Sequence, residues 1–289
     1  MSVCVIIPCY NSEKYIKETL ISIQEQSYTD LHIICINDGS KDSTLEILKK
    51  IKFKDDRIQI IDKQNGGIES SLKEAVKYIK SDYTFLIGHD DKLSKNAIEN
   101  AVDKFNGRNE IDAVRMKLVL VNDKDEIISE INDQRDLSGL EALDNTIMEW
   151  KTHNFCLWKS KIFIKIKDIT TNHTMNFDEL ATRYLYTYCN KVTYCTGEYY
   201  YFQNSNSVTH VIHPRLLDTF VIDVFIKKLL IDIDKYTKYN KEFEIYMFRR
   251  FKEAISLYLE LKENNHSELN KHHLNKLRLI YKSINYREI

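Results

Sequence analysis

Hydrophobic positions in the first hundred residues come in two alternating textures. Short continuous apolar runs, "VCVIIP" (3–8), "LHIICIND" (31–38), "RIQIID" (57–62) and "YTFLIG" (83–88), read as strands buried on both faces. Between them apolar residues fall at helical spacing. Tyr15, Ile16, Leu20 and Ile23 do so in "SEKYIKETLISIQEQ", Leu45, Ile47 and Leu48 in "SKDSTLEILKKI", and "GGIESSLKEAVKYIK" follows, opened by glycines. Ser12 is placed to cap the first helix, and Ser94 to cap a fourth over 95–105. Strand and helix in alternation predict a parallel sheet covered on both faces. Ligands bind such sheets at the carboxyl ends of the strands. Three polar clusters share that rim: "PCYNSE" after the first strand, "NDGSKD" after the second, and "GHDD" after the fourth.

After Phe105 the texture changes. "AVRMKLVLVN" (113–122) and "EIISEI" (126–131) read as strands joined by the turn-like "DKDE". A helical stretch (139–150), "FCLWKSKIFI", the cluster "MNFDELATRYLYTY" and an aromatic strand "KVTYCTGEYYYFQ" (191–203) come next. From about Arg215 onward only helical spacing remains. The expected organisation is a domain over 1–213, divided near residue 105, followed by a helical module over 214–289.

Charge narrows the choice of partner. Lys+Arg 42 against Asp+Glu 43 lacks the basic excess of a general nucleic-acid binder. None of the six cysteines forms a C-x-x-C pair, and Cys4 and Cys35 sit in core-like runs. This reads as a reducing, cytosolic setting. Val3 to Pro8 is too short for a signal sequence. No apolar run approaches the roughly 18 residues of a membrane span; "FVIDVFIKKLLI" (220–231) is broken by Asp223, Lys227 and Lys228.

Two adjacent carboxylates, Asp90 and Asp91, end an otherwise apolar strand, which is costly unless something pairs them. A linked set of motifs gives them a context. A strand runs into P-x-Y-N, a helix closes in Q-S-Y, and a strand runs into N-D-G-S-x-D. N-x-G-I then precedes a helix, and a strand runs into x-D-D. With "YYYFQNSNSVT" further on, residues 2 to 210 resemble an inverting, GT-A-type glycosyltransferase of family 2, of the kind that builds bacterial surface polysaccharides. The resemblance implies an α/β fold, a Rossmann-like mostly parallel sheet with helices on both faces, followed by a helical C-terminal region. Residues 1–105 would form the nucleotide-sugar-binding half and 106–213 the acceptor half.

It also implies roles. Pro8, Tyr10 and Asn11 would offer the donor base a turn, an aromatic face and an amide, and Asp38 would accept from a base N–H. Asn65 and Gly67 would lie near the donor, because glycines permit close backbone approach. Where relatives carry A-R-N, this chain has Ser71, Leu72 and Lys73, and lysine is only a partial substitute for arginine. Asp90 would bind Mn²⁺ or Mg²⁺, Asp91 would assist or bind sugar, and His89 would be a spare ligand or face solvent. Relatives commonly carry an acid where Gly88 stands. His210, with Ser207 and Thr209, would tie down diphosphate or metal. The catalytic base falls on the pair Asp178 and Glu179, and the resemblance does not choose between them. Trp158 reads as core or acceptor wall, core being favoured. Blander readings stand beside these: Asp38-Gly39-Ser40 as a turn, the Asp pair as a polar helix approach, and Asn176 or Asp178 as a helix cap.

The implied activity moves a sugar from a nucleotide-sugar, a UDP-sugar, to a hydroxyl of a glycan or lipid-linked saccharide. The competing reading is a relative that binds nucleotide-sugar without catalysis, prompted by Gly88 and the missing arginine. A nucleotidyltransferase would want a glycine-rich phosphate loop after the first strand, and "PCYNSEK" has no glycine. The helical tail suits a cap on the domain, a homodimer contact, or a peripheral contact with the inner face of the cell membrane.

Overall fold

The structure is a computed structural model that describes every residue except 123, 125, 172–174 and 204–211. Its first half alternates as the sequence predicts: β1 (Val3–Cys9), α1 (Ile16–Gln24), β2 (Leu31–Asp38), α2 (Thr44–Lys52), β3 (Ile58–Lys63), α3 (Gly67–Val76) and β4 (Tyr83–Leu86). A two-residue strand β5 (Lys92–Leu93) and α4 (Ala97–Phe105) follow. The second half adds β6 (Ile111–Val121), β7 (Ile127–Ile131), β8 (Leu137–Ser138), α5 (Gly139–Asp144), β9 (Cys156–Lys159), α6 (Ser160–Phe163), α7 (Phe177–Tyr186) and β10 (Lys191–Phe202). The tail is α8 (Asp218–Asp232), α9 (Tyr236–Glu263) and α10 (Lys271–Ser283). Among the described residues no helix is long and apolar enough to cross a membrane.

The strands form one sheet in the order β3-β2-β1-β4-β9-β6-β10-β5, with β7 on β6 and β8 on β10. β1 pairs in parallel with β2 and β4, and β10 pairs in parallel with β6. β9 runs antiparallel between β4 and β6 and stitches the two parallel blocks together. Alternation along β1 explains why the run is apolar throughout. Val3, Val5 and Ile7 enter a core with Ile16, Leu20 and Ile23 of α1 and Ala97 and Ile98 of α4. Cys4 and Ile6 enter the opposite core with Leu72 and Ala75 of α3.

Two serines serve other purposes than the expected caps. Ser12 is buried, its N–H donates to Thr44 Oγ1 at 2.8 Å, and α1 starts only at Ile16. Ser94 Oγ accepts from the Glu198 N–H at 3.0 Å, tying the approach to α4 onto β10. The helix expected over 139–150 ends at Asp144; Ser138 and Glu141 form a capping box at its start.

The core containing α3 and α7 continues without interruption into the tail, taking in Phe220, Ile226, Leu230, Phe243, Met247 and Ile280. The sheet and the C-terminal helices therefore share a core. Phe243 in α9 is fully buried within it. Phe243→Ala should cost about 3–5 kcal/mol. Urea unfolding followed by helix-weighted and tryptophan signals should shift as one transition rather than two.

Candidate active site

The three rim clusters are laced together before any ligand is considered. Asn11 sits at φ +49°, its N–H donates to Ser40 Oγ at 3.1 Å, and its Oδ1 accepts from the Lys41 N–H at 2.9 Å. The loop after β1 is thus fastened to the loop after β2. Asp38 is buried at the end of β2. Its carboxylate accepts from the Gly66 N–H at 2.9 Å, from the Gly67 N–H at 2.8 Å and from the Lys63 ammonium. Asn65 Nδ2 donates to the Asp38 carbonyl at 3.0 Å. Gly39, at φ +69°, makes this closure possible, since a Cβ there would lie 2.6 Å from Asn65 N.

The corner after β4 is built the same way. His89 Nδ1 faces the Pro8 carbonyl at 3.2 Å, and the His89 carbonyl accepts from the Thr19 hydroxyl at 2.9 Å. Asp91 is buried. It accepts from the Tyr199 hydroxyl at 2.5 Å and from the Phe202 N–H at 3.0 Å. Tyr199 in turn accepts from the Gly88 N–H at 3.1 Å and stacks on Phe155 with ring centroids 3.9 Å apart. Burial first, and the Asp90 charge second, push the Asp91 carboxyl up to about 8. Glycine at 88 is required by space: a Cβ there would meet Asp91 Oδ2 at 2.5 Å and Asp90 Oδ1 at 3.1 Å. An acid at this position has no room while Tyr199 holds Asp91.

A cavity of about 340 Å³ opens between these corners, within the range of small-molecule sites. Asp38, Asp90, Asp91 and Asp178 all reach its wall, together with Pro8 and His89, and no Lys or Arg among the described residues does. Trp158 is 2% exposed, packs on Tyr186 at 5.3 Å between centroids and lines the cavity. Asn11, Asn65 and Gly67 support the rim from outside this cavity, and Tyr10 is not among the residues that line it. Lys73 is paired with Glu69 at 2.8 Å. His210, Ser207 and Thr209 lie outside the described residues.

The acid pair of α7 separates. Asp178 is half-buried on the cavity wall, where burial, and then the Glu179 charge, raise its carboxyl to about 6. Glu179 accepts from Asn176 Nδ2 at 2.8 Å and pairs with the buried Arg183 at 3.3 Å, one turn along the helix. Among the described residues no group of three His, Cys, Asp or Glu side chains is arranged to hold an ion by itself. Sequence reasoning missed Tyr199 and Phe155, whose importance rests on pairings between distant strands. It also gave no weight to Ser71, a serine on the inward side of α3, although the Ile68, Ser71, Leu72, Ala75 spacing marks that position as buried.

Comparison with known proteins supplies the context. The family model for glycosyl transferase family 2 matches residues 4–167. The chain is 37% identical over 103 residues to the chondroitin synthase of Pasteurella multocida, covering 36% of this chain and 11% of that protein. It is 38% identical over 104 residues to an uncharacterized glycosyltransferase of Rickettsia prowazekii, covering 36% of this chain and 32% of that one. It therefore spans well under two thirds of these relatives. The S. aureus TarS 1–349 structure in complex with UDP-GlcNAc superposes over 100% of this chain and 83% of its own, with a TM-score of 0.73 at 19% identity. A mannosyltransferase from Pyrobaculum calidifontis in complex with GDP-Man and Mn²⁺ gives a TM-score of 0.56 at 12% identity, over 97% of this chain and 85% of its own. These likenesses confirm the GT-A-type sheet with its helical C-terminal region.

Gly88→Ala should cost about 1–3 kcal/mol of stability, because the added carbon must break the Asp91–Tyr199 bond or move the strand end. Tyr199→Phe should cost a similar amount by leaving Asp91 and the Gly88 N–H each short of a partner. In the double variant the losses should fall short of additive, as measured by denaturant unfolding of the two singles and the double.

Proposed function

The chain belongs to glycosyl transferase family 2, and on that premise we propose that it transfers a sugar from a UDP-sugar to a hydroxyl of a bacterial surface glycan with inversion at the anomeric carbon. The observation that carries this reading is the convergence of Asp38, Asp90 and Asp178 on one cavity from three distant parts of the sequence. The UDP-GlcNAc bound to TarS, a protein of the same fold, supports the nucleotide.

The wall chemistry also fits a divalent cation. A diphosphate entering a space lined by Asp38, Asp90, Asp91 and Asp178, with no described Lys or Arg, needs a positive charge beside it. Asp90 would hold the ion, with Asp91 behind it, already tied to Tyr199 and Phe202. When bound, Mn²⁺ or Mg²⁺ supplies oxygen-seeking charge that neutralises the diphosphate. Asp38, fixed by the Gly66 and Gly67 N–H groups, would present its carboxylate edge to the uracil N–H in place of Lys63.

Asp178 supplies the base. It takes the proton of the acceptor hydroxyl while that oxygen bonds to the anomeric carbon and the bond to the diphosphate oxygen breaks. Glu179, paired with Arg183, acts on Asp178 through its charge. The tail helices would cap the acceptor side. A relative that only binds nucleotide would bind UDP in calorimetry yet turn over no donor.

Asp178→Asn should lower kcat by about 10²–10⁴-fold while UDP binding with Mn²⁺ persists. Unchanged turnover would remove Asp178 from this role. The rate should fall as pH drops through about 6, because protonated Asp178 cannot accept the hydroxyl proton. Glu179→Gln removes the neighbouring charge that raises Asp178, so the acid limb should move to lower pH. A kcat/KM profile of the two proteins reads this directly.

A further inference from the structure

Away from the cavity, the tail carries aromatic and aliphatic side chains that its own packing leaves in the open. Four rings meet where α9 and α10 lie side by side. Tyr281 and Tyr286 are 53% and 44% exposed, with centroids 5.4 Å apart. Phe251 packs against Tyr281 at 5.7 Å, and Phe248 meets Tyr286 in a T-shaped contact at 6.2 Å. The Lys252 ammonium lies 5.4 Å from the centre of the Phe248 ring. Along α9, Ile245, Phe248, Lys252, Ile255 and Leu259 recur at i, i+3, i+7, i+10 and i+14, so they share one side of the helix. Ile245, Lys252 and Leu259 are exposed there, and so is Leu279 of α10. Contiguous exposed apolar surface of this kind marks an interaction site.

The charges carried by α10 are of one sign. It has no acidic residue from Lys271 to Ser283. Lys271, Asn275, Arg278 and Lys282 recur at i, i+4, i+7 and i+11 on its exposed side. Lys276 pairs with Asp218, whereas Lys271, Arg278 and Lys282 make no ion pair among the described residues. On α9, Glu253 stands beside Lys252 but turns to Arg250 at 3.1 Å. Glu263 follows one turn past Leu259, beyond the rings.

A second copy of the chain fits this face poorly. In a twofold contact the same surface meets itself, and uncompensated lysines and arginines would face their own kind. An anionic bilayer fits every feature. Tyrosine rings settle at headgroup level, aliphatic side chains enter the boundary below, and Lys and Arg stems cross apolar surface to reach acidic headgroups. We infer that α9 and α10 form a peripheral docking face for an anionic lipid bilayer. Tyr281, Tyr286 and Leu259 enter the headgroup layer, and Lys252, Arg278 and Lys282 meet its acidic groups. Docking sets where the protein sits, not which sugar it moves, and neither depends on the other.

The test uses the full chain and co-sedimentation with two kinds of vesicle, phosphatidylcholine alone and phosphatidylcholine with about one quarter phosphatidylglycerol. The unaltered chain should partition onto the anionic vesicles about ten-fold or more tightly than onto the neutral ones. Raising the salt from about 0.1 M to about 1 M should remove most of that difference. Lys252→Glu with Lys282→Glu should weaken partition by about ten-fold or more, since each cation near such a surface contributes about a five-fold factor. Lys49→Glu with Lys50→Glu, at exposed sites in α2, changes the net charge equally and should leave partition within about two-fold. Tyr281→Ser should weaken partition while the salt dependence persists. The comparison of the two vesicle types stands even if a variant folds poorly. No partition onto anionic vesicles, or equal partition onto neutral ones, overturns this proposal and leaves the transferase reading intact. So does an equal loss in the two double variants. A dimer in sedimentation velocity that Tyr281→Ser breaks, without vesicle binding, overturns it in favour of a second copy.

Discussion

The buried carboxylate of Asp91 is the constraint on which the site is built. A polar, titratable group inside the protein is tolerated only with partners in place, and the chain provides two from β10, the Tyr199 hydroxyl and the Phe202 N–H. Those bonds join the end of β4 to the end of a strand more than a hundred residues later. They also explain Gly88. The space that a side chain would need there is the space in which Asp91 Oδ2 sits. An acidic residue one position before His89 and the Asp91–Tyr199 strap exclude each other on steric grounds, and this chain has the strap.

The same economy of design recurs at the other corners of the rim. Asp38 uses both carboxylate oxygens to fold the glycine loop after β3 against the end of β2, and Gly39 permits the approach. Asn11 bridges the first two loops with its own backbone and side chain. The rim is therefore preorganised by polar contacts among its own loops, and the cavity that remains is lined by both carboxylates and apolar side chains.

Helix α7 links this site to the rest of the molecule. Its inward side presents Asp178 to the cavity, and Arg183 reaches the Thr146 carbonyl at 2.7 Å and stacks on Trp150 at 4.2 Å. Its apolar residues belong to the core shared with α8, α9 and α10. The tail thus bears on the position of Asp178 through packing, because a close-packed interior transmits displacement of one helix to its neighbours.

Much of this was legible in the chain. The two-sided burial of β1, the helical spacings of α1 to α4 and the polar cluster at each strand end follow from local pattern alone, since each depends on neighbours a few residues apart. The resemblance of the linked motifs to family 2 proved sound for the same reason. What the sequence left open was which acid of α7 faces the cavity, since Asp178 and Glu179 are adjacent and only the placement of Arg183 and Asn176 claims the second. Nor could it show that Ser12 and Ser94 bond across to α2 and β10 instead of capping helices, or that Asp91 is sealed by Tyr199. Each of these is a relation between residues 32 to 108 positions apart or a matter of side-chain direction within a turn. Strand pairing and helix packing decide such relations, and local spacing carries no information about them.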